Sequence, residues 1–376
     1  MTDTDESARS APAGLTPERG DELPFLRGAV TSQPAYRFEH HPQRIKLDQN
    51  EAPDNLAPDL LNAALERLAS ASYNRYPDLH PVTLEAALAR RHDWPAAGVV
   101  VANGSNVLIQ ALVILGGIGR SVVTVKPNFA VYASQARLLG AETHEVPLED
   151  GFGLPTAALL ATLRSGRGVL FLTDPAAPTG NAHDPRDIAT VMSAAHAGGS
   201  WLSVIDEAYG EFAGSDHAGL VRGLPSAASL RTFSKATGLA GARLGYALTS
   251  PAVATQLRKV LLPFSVSAMQ VAVGLTVLER PEIGAARVAA VTAERARVMA
   301  ALRRLSGVEV FPSVTNFVLF KVGDPAAVHR ALLGADIIVR RQDHLPGAEG
   351  CLRVTIGAPA DNDAFLAAVG AAAGAA

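Results

Sequence analysis

From about Asp59 onward, short apolar segments alternate with amphipathic ones, and that alternation leaves few folds open to the chain. The apolar segments Gly98–Ala102, Ser121–Lys126, Glu142–Pro147, Gly168–Thr173, Trp201–Asp206, Leu230–Phe233 and Leu244–Thr249 read as strands. Leu108–Gly116, Ala130–Leu139, Pro155–Ser165 and Arg186–Ala197 carry helical spacing between them. Strands apolar on both faces and separated by helices build a mainly parallel sheet covered on both sides, an α/β architecture. In such a sheet ligands sit at the carboxyl ends of the strands.

At 376 residues the chain is long for one core, so two lobes are expected. After Ser250 the pattern changes to a long helix, Glu282–Leu305, followed by strands Val308–Phe311, Asn316–Val322, Asp336–Arg341 and Cys351–Ile356 and a last helix. The expected division is a tail over 1–22, a large domain over 45–255, and a small α+β domain built from 23–44 and 256–370. The stretch Val260–Leu278 is apolar but broken by Pro263, Ser265, Ser267 and Gln270, which suits a buried helix and its lead-in loop rather than a membrane span.

One run of residues carries chemistry: Thr232-Phe-Ser-Lys235-Ala-Thr-Gly-Leu-Ala-Gly-Ala-Arg243-Leu-Gly. A lysine that condenses with an aldehyde needs a neutral amine, which desolvation and neighbouring cations provide. Thr232 and Ser234 set hydroxyls beside Lys235, and Arg243 offers a fork suited to a phosphate. The strand ending in Asp206, with Tyr209 just beyond it, precedes this run. Together they describe a site for pyridoxal phosphate.

Other classes fall away on composition. A net charge of −3 without a basic cluster gives no footprint for nucleic acid. A single cysteine, Cys351, excludes an intrachain disulfide and agrees with a reducing cytoplasm. The first twenty or so residues hold no apolar core of a signal peptide. No metal-ligand motif stands out.

From about Leu23 to Asp363 the chain resembles the aspartate-aminotransferase superfamily of fold type I, and within it the histidinol-phosphate aminotransferase family. The residues that carry the resemblance include Lys46-Leu-Asp-Gln-Asn50-Glu51-Ala-Pro53, Asn74-Arg-Tyr76-Pro-Asp78, Asn103-Gly-Ser-Asn106, Pro127-Asn-Phe-Ala-Val-Tyr132, Thr315-Asn316-Phe317, and the segments ending at Arg340 and Arg353. The resemblance implies a large domain with a mainly parallel sheet, a small α+β domain, and these roles. Lys235 binds the cofactor covalently and moves protons. Asp206 faces the pyridine nitrogen, and an anion there keeps it protonated. Tyr209 bonds the ring's phenolate oxygen, and Tyr132 stacks on the ring. Gly104, Ser105, Asn106, Thr232, Ser234 and Arg243 hold the phosphate, the first three at a helix N-terminus. Tyr76 reaches the cofactor phosphate of a second subunit, which makes a homodimer with a shared site. Asn50, Asn316, Arg340 and Arg353 bind substrate, the arginines taking its phosphate and Arg353 also the carboxylate of glutamate.

Three positions depart from the family pattern. Ala177 in Asp174-Pro-Ala-Ala177-Pro-Thr-Gly180 replaces an asparagine that donates to the phenolate oxygen; Asn106-Val107 replaces an acidic pair; Phe25 replaces a substrate-pocket tyrosine. The reaction implied is transfer of the amino group of L-histidinol phosphate to 2-oxoglutarate, in two half-reactions, in histidine biosynthesis. The alternatives are an aminotransferase for another amino acid, an aromatic one for example, a decarboxylase of a phosphorylated amino acid using the same cofactor, and a cofactor-binding regulator without turnover.

Overall fold

The structure is a computed structural model that describes residues 25–34 and 42–373. The expected tail over 1–22 lies outside the described residues. Among the described residues twelve strands form two sheets: β1 (Ile45–Leu47), β2 (Val99–Ala102), β3 (Ser121–Lys126), β4 (Glu142–Pro147), β5 (Gly168–Thr173), β6 (Trp201–Asp206), β7 (Ala227–Thr232), β8 (Gly245–Thr249), β9 (Glu309–Val310), β10 (Phe317–Lys321), β11 (Ile337–Arg341) and β12 (Cys351–Thr355).

The larger sheet has seven strands in the order β2-β8-β7-β6-β5-β3-β4. Pairings among β4, β3, β5, β6 and β7 are parallel, and β8 runs antiparallel to both of its neighbours. β5 and β2 are buried along their whole length, the burial that two covering layers of helix demand. Helices stop and start at chemical signals. Asp184 caps Pro185–Ala197 through its side chain, with proline in the first turn. Ser267 and Gln270 form a reciprocal capping box that opens Ala268–Leu278, and so ends the loop inside the apolar 260–278 stretch.

The smaller sheet runs β1-β11-β12-β10-β9, with a separate apolar cluster that includes Phe317, Phe320, Leu352 and Phe365. Three segments differ from the expected division. Ile45–Leu47, assigned to the large domain, pairs in parallel with Ile337–Val339 and so belongs to the smaller sheet. Ala268–Leu278, assigned to the small domain, packs on the helices Pro58–Ala69 and Val82–Arg91 beside the larger sheet. The short helix Gly28–Thr31 lies against Val131–Leu139 and does not join the smaller sheet either. Apolar spacing specifies an element's buried face but not which of two cores receives it.

The register brings the strand ends together. Ala102 pairs with Gly245 and Gly245 with Thr232, while Asp206 lies between Thr173 and Leu230. The residues just beyond Ala102, Thr173, Asp206 and Thr232 therefore gather at one edge of the sheet, together with those just before Gly245.

Candidate active site

That edge opens with the helix Ser105–Gly116, whose first turn follows Gly104 at φ 85° with no side-chain cap. Uncapped amide N–H groups at a helix start are anion-binding donors. Arg243, itself left-handed at φ 54°, lays its guanidinium beside them: a Cβ on Gly104 would stand 2.6 Å from its Nη2. A Cβ on Gly245 would stand 2.3 Å from the Ser105 amide nitrogen, so glycine is needed for β8 to pass the helix start. Beside this cradle the Thr232 hydroxyl donates to Ser234 Oγ (3.0 Å) and accepts from the Ser234 amide (3.0 Å). Gly104, Ser105, Thr232, Ser234 and Arg243 are thus brought together, and Asn106 follows in the first turn.

Lys235 extends from this corner to donate from Nζ to the Gln49 carbonyl (2.8 Å). Burial, with Arg353 the next largest influence, brings its amine down to about 7. Its Nζ stands 5.9 Å from the centre of the Tyr209 ring. Asp206 lies at the end of β6 and is 4 % exposed. Burial pushes its carboxyl up to about 6, against the hydrogen bonds it accepts from Tyr132 and from the Ala208 amide. No cation is paired with it among the described residues.

One expectation fails on geometry. Tyr132 is fully buried, its ring stacked on Phe171 (4.9 Å, 14°), and its hydroxyl donates to Asp206 Oδ2 (2.7 Å). It cannot also be the platform under a cofactor ring. The helix Val131–Leu139 turns residue 132 inward and leaves Phe129, 39 % exposed at the end of β3, as the aromatic facing outward. The alternation of aromatic residues in Phe129-Ala-Val-Tyr132 was the available signal. Phe25 is 79 % exposed, and the helix Gly28–Thr31 that follows it lies against Val131–Leu139.

Tyr209 is buried, which raises its hydroxyl pKa, and it accepts a hydrogen bond from Asn50 Nδ2 (2.8 Å). Asn316 donates from Nδ2 to the Asn50 carbonyl (3.0 Å), and its buried Oδ1 has no partner among the described residues. Arg340 and Arg353 stand directly opposite each other on β11 and β12, hence on one face. Arg353 donates to the Asp48 carbonyl (2.8 Å) and lies 5.2 Å from the Phe317 ring centre. Tyr76 is 83 % exposed, with its ring near that of Phe264 (5.1 Å). Among the described residues no cluster suited to a metal ion occurs.

Comparison with known proteins closes the question of family. Residues 42–369 match the family aminotransferase class I and II. The chain belongs to the class I and II aminotransferases. Among relatives of this aminotransferase, histidinol-phosphate aminotransferase of Deinococcus radiodurans is 48 % identical over 92 % of this chain and 95 % of its own length. That of Thermococcus kodakarensis is 38 % identical over 92 % and 97 %. The crystal structure of histidinol-phosphate aminotransferase from Sinorhizobium meliloti in complex with pyridoxal-5'-phosphate superposes with a TM-score of 0.80 at 26 % identity, covering 89 % of this chain and 92 % of that one.

Proposed function

We propose that this aminotransferase uses pyridoxal phosphate to transfer the amino group of L-histidinol phosphate to 2-oxoglutarate. The observation that carries the reading is a pair of adjacent anchors: Lys235 donates to the Gln49 carbonyl and Arg353 to the neighbouring Asp48 carbonyl, each at 2.8 Å. One short segment so ties the lysine to the arginine that stands opposite Arg340. Two guanidinium forks on one face suit a substrate phosphate or carboxylate, held in bidentate bonds.

The cofactor fits the residues present. Gly104, Ser105, Asn106, Ser234 and Arg243 would hold its phosphate, Lys235 its aldehyde carbon, Asp206 its ring nitrogen and Tyr209 its ring oxygen, with Phe129 rather than Tyr132 as the aromatic against the ring. Bound there, it supplies an electrophilic carbon and an electron-accepting ring. The chain's own groups do the rest. Asp206, ionised, keeps a proton on the ring nitrogen. Lys235, its amine brought down to about 7, would accept and release at Nζ the proton that the reaction moves. Arg340 and Arg353 orient the anionic ends of the two substrates in turn.

A homodimer and a cytoplasmic location belong to the same reading. Tyr73, Tyr76, Leu262, Phe264 and Met269 are exposed and apolar in the region of the Tyr76–Phe264 contact, the kind of patch a second subunit covers. No helix among the described residues is long and apolar enough to cross a membrane. The decisive experiment is a half-reaction screen: amine donors are mixed with holoenzyme and the cofactor absorbance is followed. L-histidinol phosphate is expected to convert it fastest, with 2-oxoglutarate restoring it. An aromatic amino acid reacting faster, or carbon dioxide release from a phosphorylated amino acid, would overturn the substrate assignment.

A further inference from the structure

Asn50 occupies a left-handed turn (φ 54°) and is 2 % exposed. Its main-chain N–H donates to Thr355 Oγ1 (2.9 Å), and the Thr355 hydroxyl donates to Asn50 Oδ1 (3.3 Å). Its Nδ2 donates to the Tyr209 hydroxyl oxygen (2.8 Å). Thr355 Oγ1 accepts from the main chain and donates to Oδ1, an arrangement that sets the amide nitrogen toward Tyr209. Since an amide nitrogen only donates, the Tyr209 oxygen accepts, and the Tyr209 proton must point away from Asn50. Ala177, where the family pattern has an asparagine, is buried in the same apolar cluster as Tyr209 and Phe317 and carries no donor.

We propose that Asn50 is a positioning residue for Tyr209: it fixes the Tyr209 hydroxyl proton toward the ring oxygen of the bound cofactor, supplying through Tyr209 the hydrogen bonding that Ala177 cannot give. The proposal rests on the reading of Tyr209 as the partner of that oxygen. A donor to the ring oxygen stabilises its negative charge and lowers the proton affinity of the neighbouring lysine–cofactor linkage. The accepted bond from Asn50 strengthens Tyr209 as a donor, as hydrogen bonds in series polarise one another.

The test uses holoenzyme and reads the midpoint of the pH-dependent cofactor absorbance, with the cofactor dissociation constant as a second measure. Asn50→Gly removes the amide while glycine keeps the left-handed backbone without strain. Asn50→Gly and Tyr209→Phe are each expected to raise the midpoint by up to about one pH unit. The double variant should go no higher than Tyr209→Phe alone, because the two act in series. Ala177→Asn added to Asn50→Gly should bring the midpoint back down. If Asn50→Gly folds poorly, Thr355→Val, which frees the amide to turn over, carries the same test with the same expected direction. A raised midpoint in Tyr209→Phe with none in Asn50→Gly, or two shifts that add, overturns the proposal and leaves Tyr209 in place. An unmoved midpoint in Tyr209→Phe overturns the assignment of Tyr209 itself, and the proposal with it.

Discussion

Tyr132 and Asp206 are joined by a buried hydrogen bond of 2.7 Å from the tyrosine hydroxyl to Oδ2. The Tyr132 oxygen is also within 3.0 Å of Thr173 Oγ1, which donates to Asn128 Oδ1 (2.9 Å). This bond holds down the pKa of a carboxyl that burial raises to about 6. In Tyr132→Phe the Asp206 pKa should therefore rise further. The acidic limb of cofactor affinity against pH should move upward by up to about one unit, the size of one hydrogen bond. Fluorescence titration with the cofactor from pH 5 to 8 measures it.

Lys235 gives a stability signature in the cofactor-free protein. Its amine falls from 10.5 to about 7 on folding, so between those values the unfolded chain binds the proton that the native chain has lost. Stability from this group then rises with pH across that window. Lys235→Met removes the burden of a buried ammonium. Its melting temperature should exceed that of the unaltered chain most at or below pH 7, with the gap closing toward pH 10.

Gly245→Ala tests the phosphate cradle. The added methyl would meet the Ser105 amide nitrogen at 2.3 Å, a backbone atom that can yield only if the helix start moves. A loss of about 1–3 kcal/mol in urea unfolding is expected, together with weaker cofactor binding.

Arg340→Ala separates the two substrates. Removing one charge-assisted contact should raise KM for L-histidinol phosphate by roughly 10–100-fold. The KM for 2-oxoglutarate and kcat should change much less, since Arg353 remains. An equal rise for both substrates would place Arg340 on the shared carboxylate instead.

Phe264→Asp tests assembly. It puts a charge in the exposed apolar patch beside Tyr76 and should shift sedimentation toward the monomer, with loss of activity if the site is shared.

The strands that carry the site were largely legible before any coordinates. Ser121–Lys126, Glu142–Pro147, Gly168–Thr173 and Trp201–Asp206 stand where apolar runs bounded by turn residues put them. Ser121–Lys126, Gly168–Thr173 and Trp201–Asp206 are buried on both faces, so local composition and tertiary demand agree there. The rest depended on pairings that a local pattern does not contain. Gly245–Thr249 reads as a strand like the others, yet runs antiparallel because its connection from Thr232 is a loop and not a helix. Ile45–Leu47 is too short to announce a partner almost three hundred residues away. Tyr132 and Phe129 were both readable as aromatics of the site, and only the path of one helical turn decides which faces the sheet. Asn50 was recognised as a site residue, but its grip on Tyr209 and Thr355 comes from a left-handed backbone that sequence does not display.

The antiparallel entry of β8 puts Lys235 and Arg243 on one connection between adjacent strands, while Arg340 and Arg353 ride on a different sheet. Selection or design can therefore redraw which amine is accepted by editing a pair of neighbouring strands, with the reactive machinery left as it stands. The converse does not hold: an insertion or deletion between Thr232 and Gly245 would displace the covalent anchor and the anion clamp at once. In an evolving lineage, substrate preference is the variable part of such a molecule and the spacing of that connection its invariant.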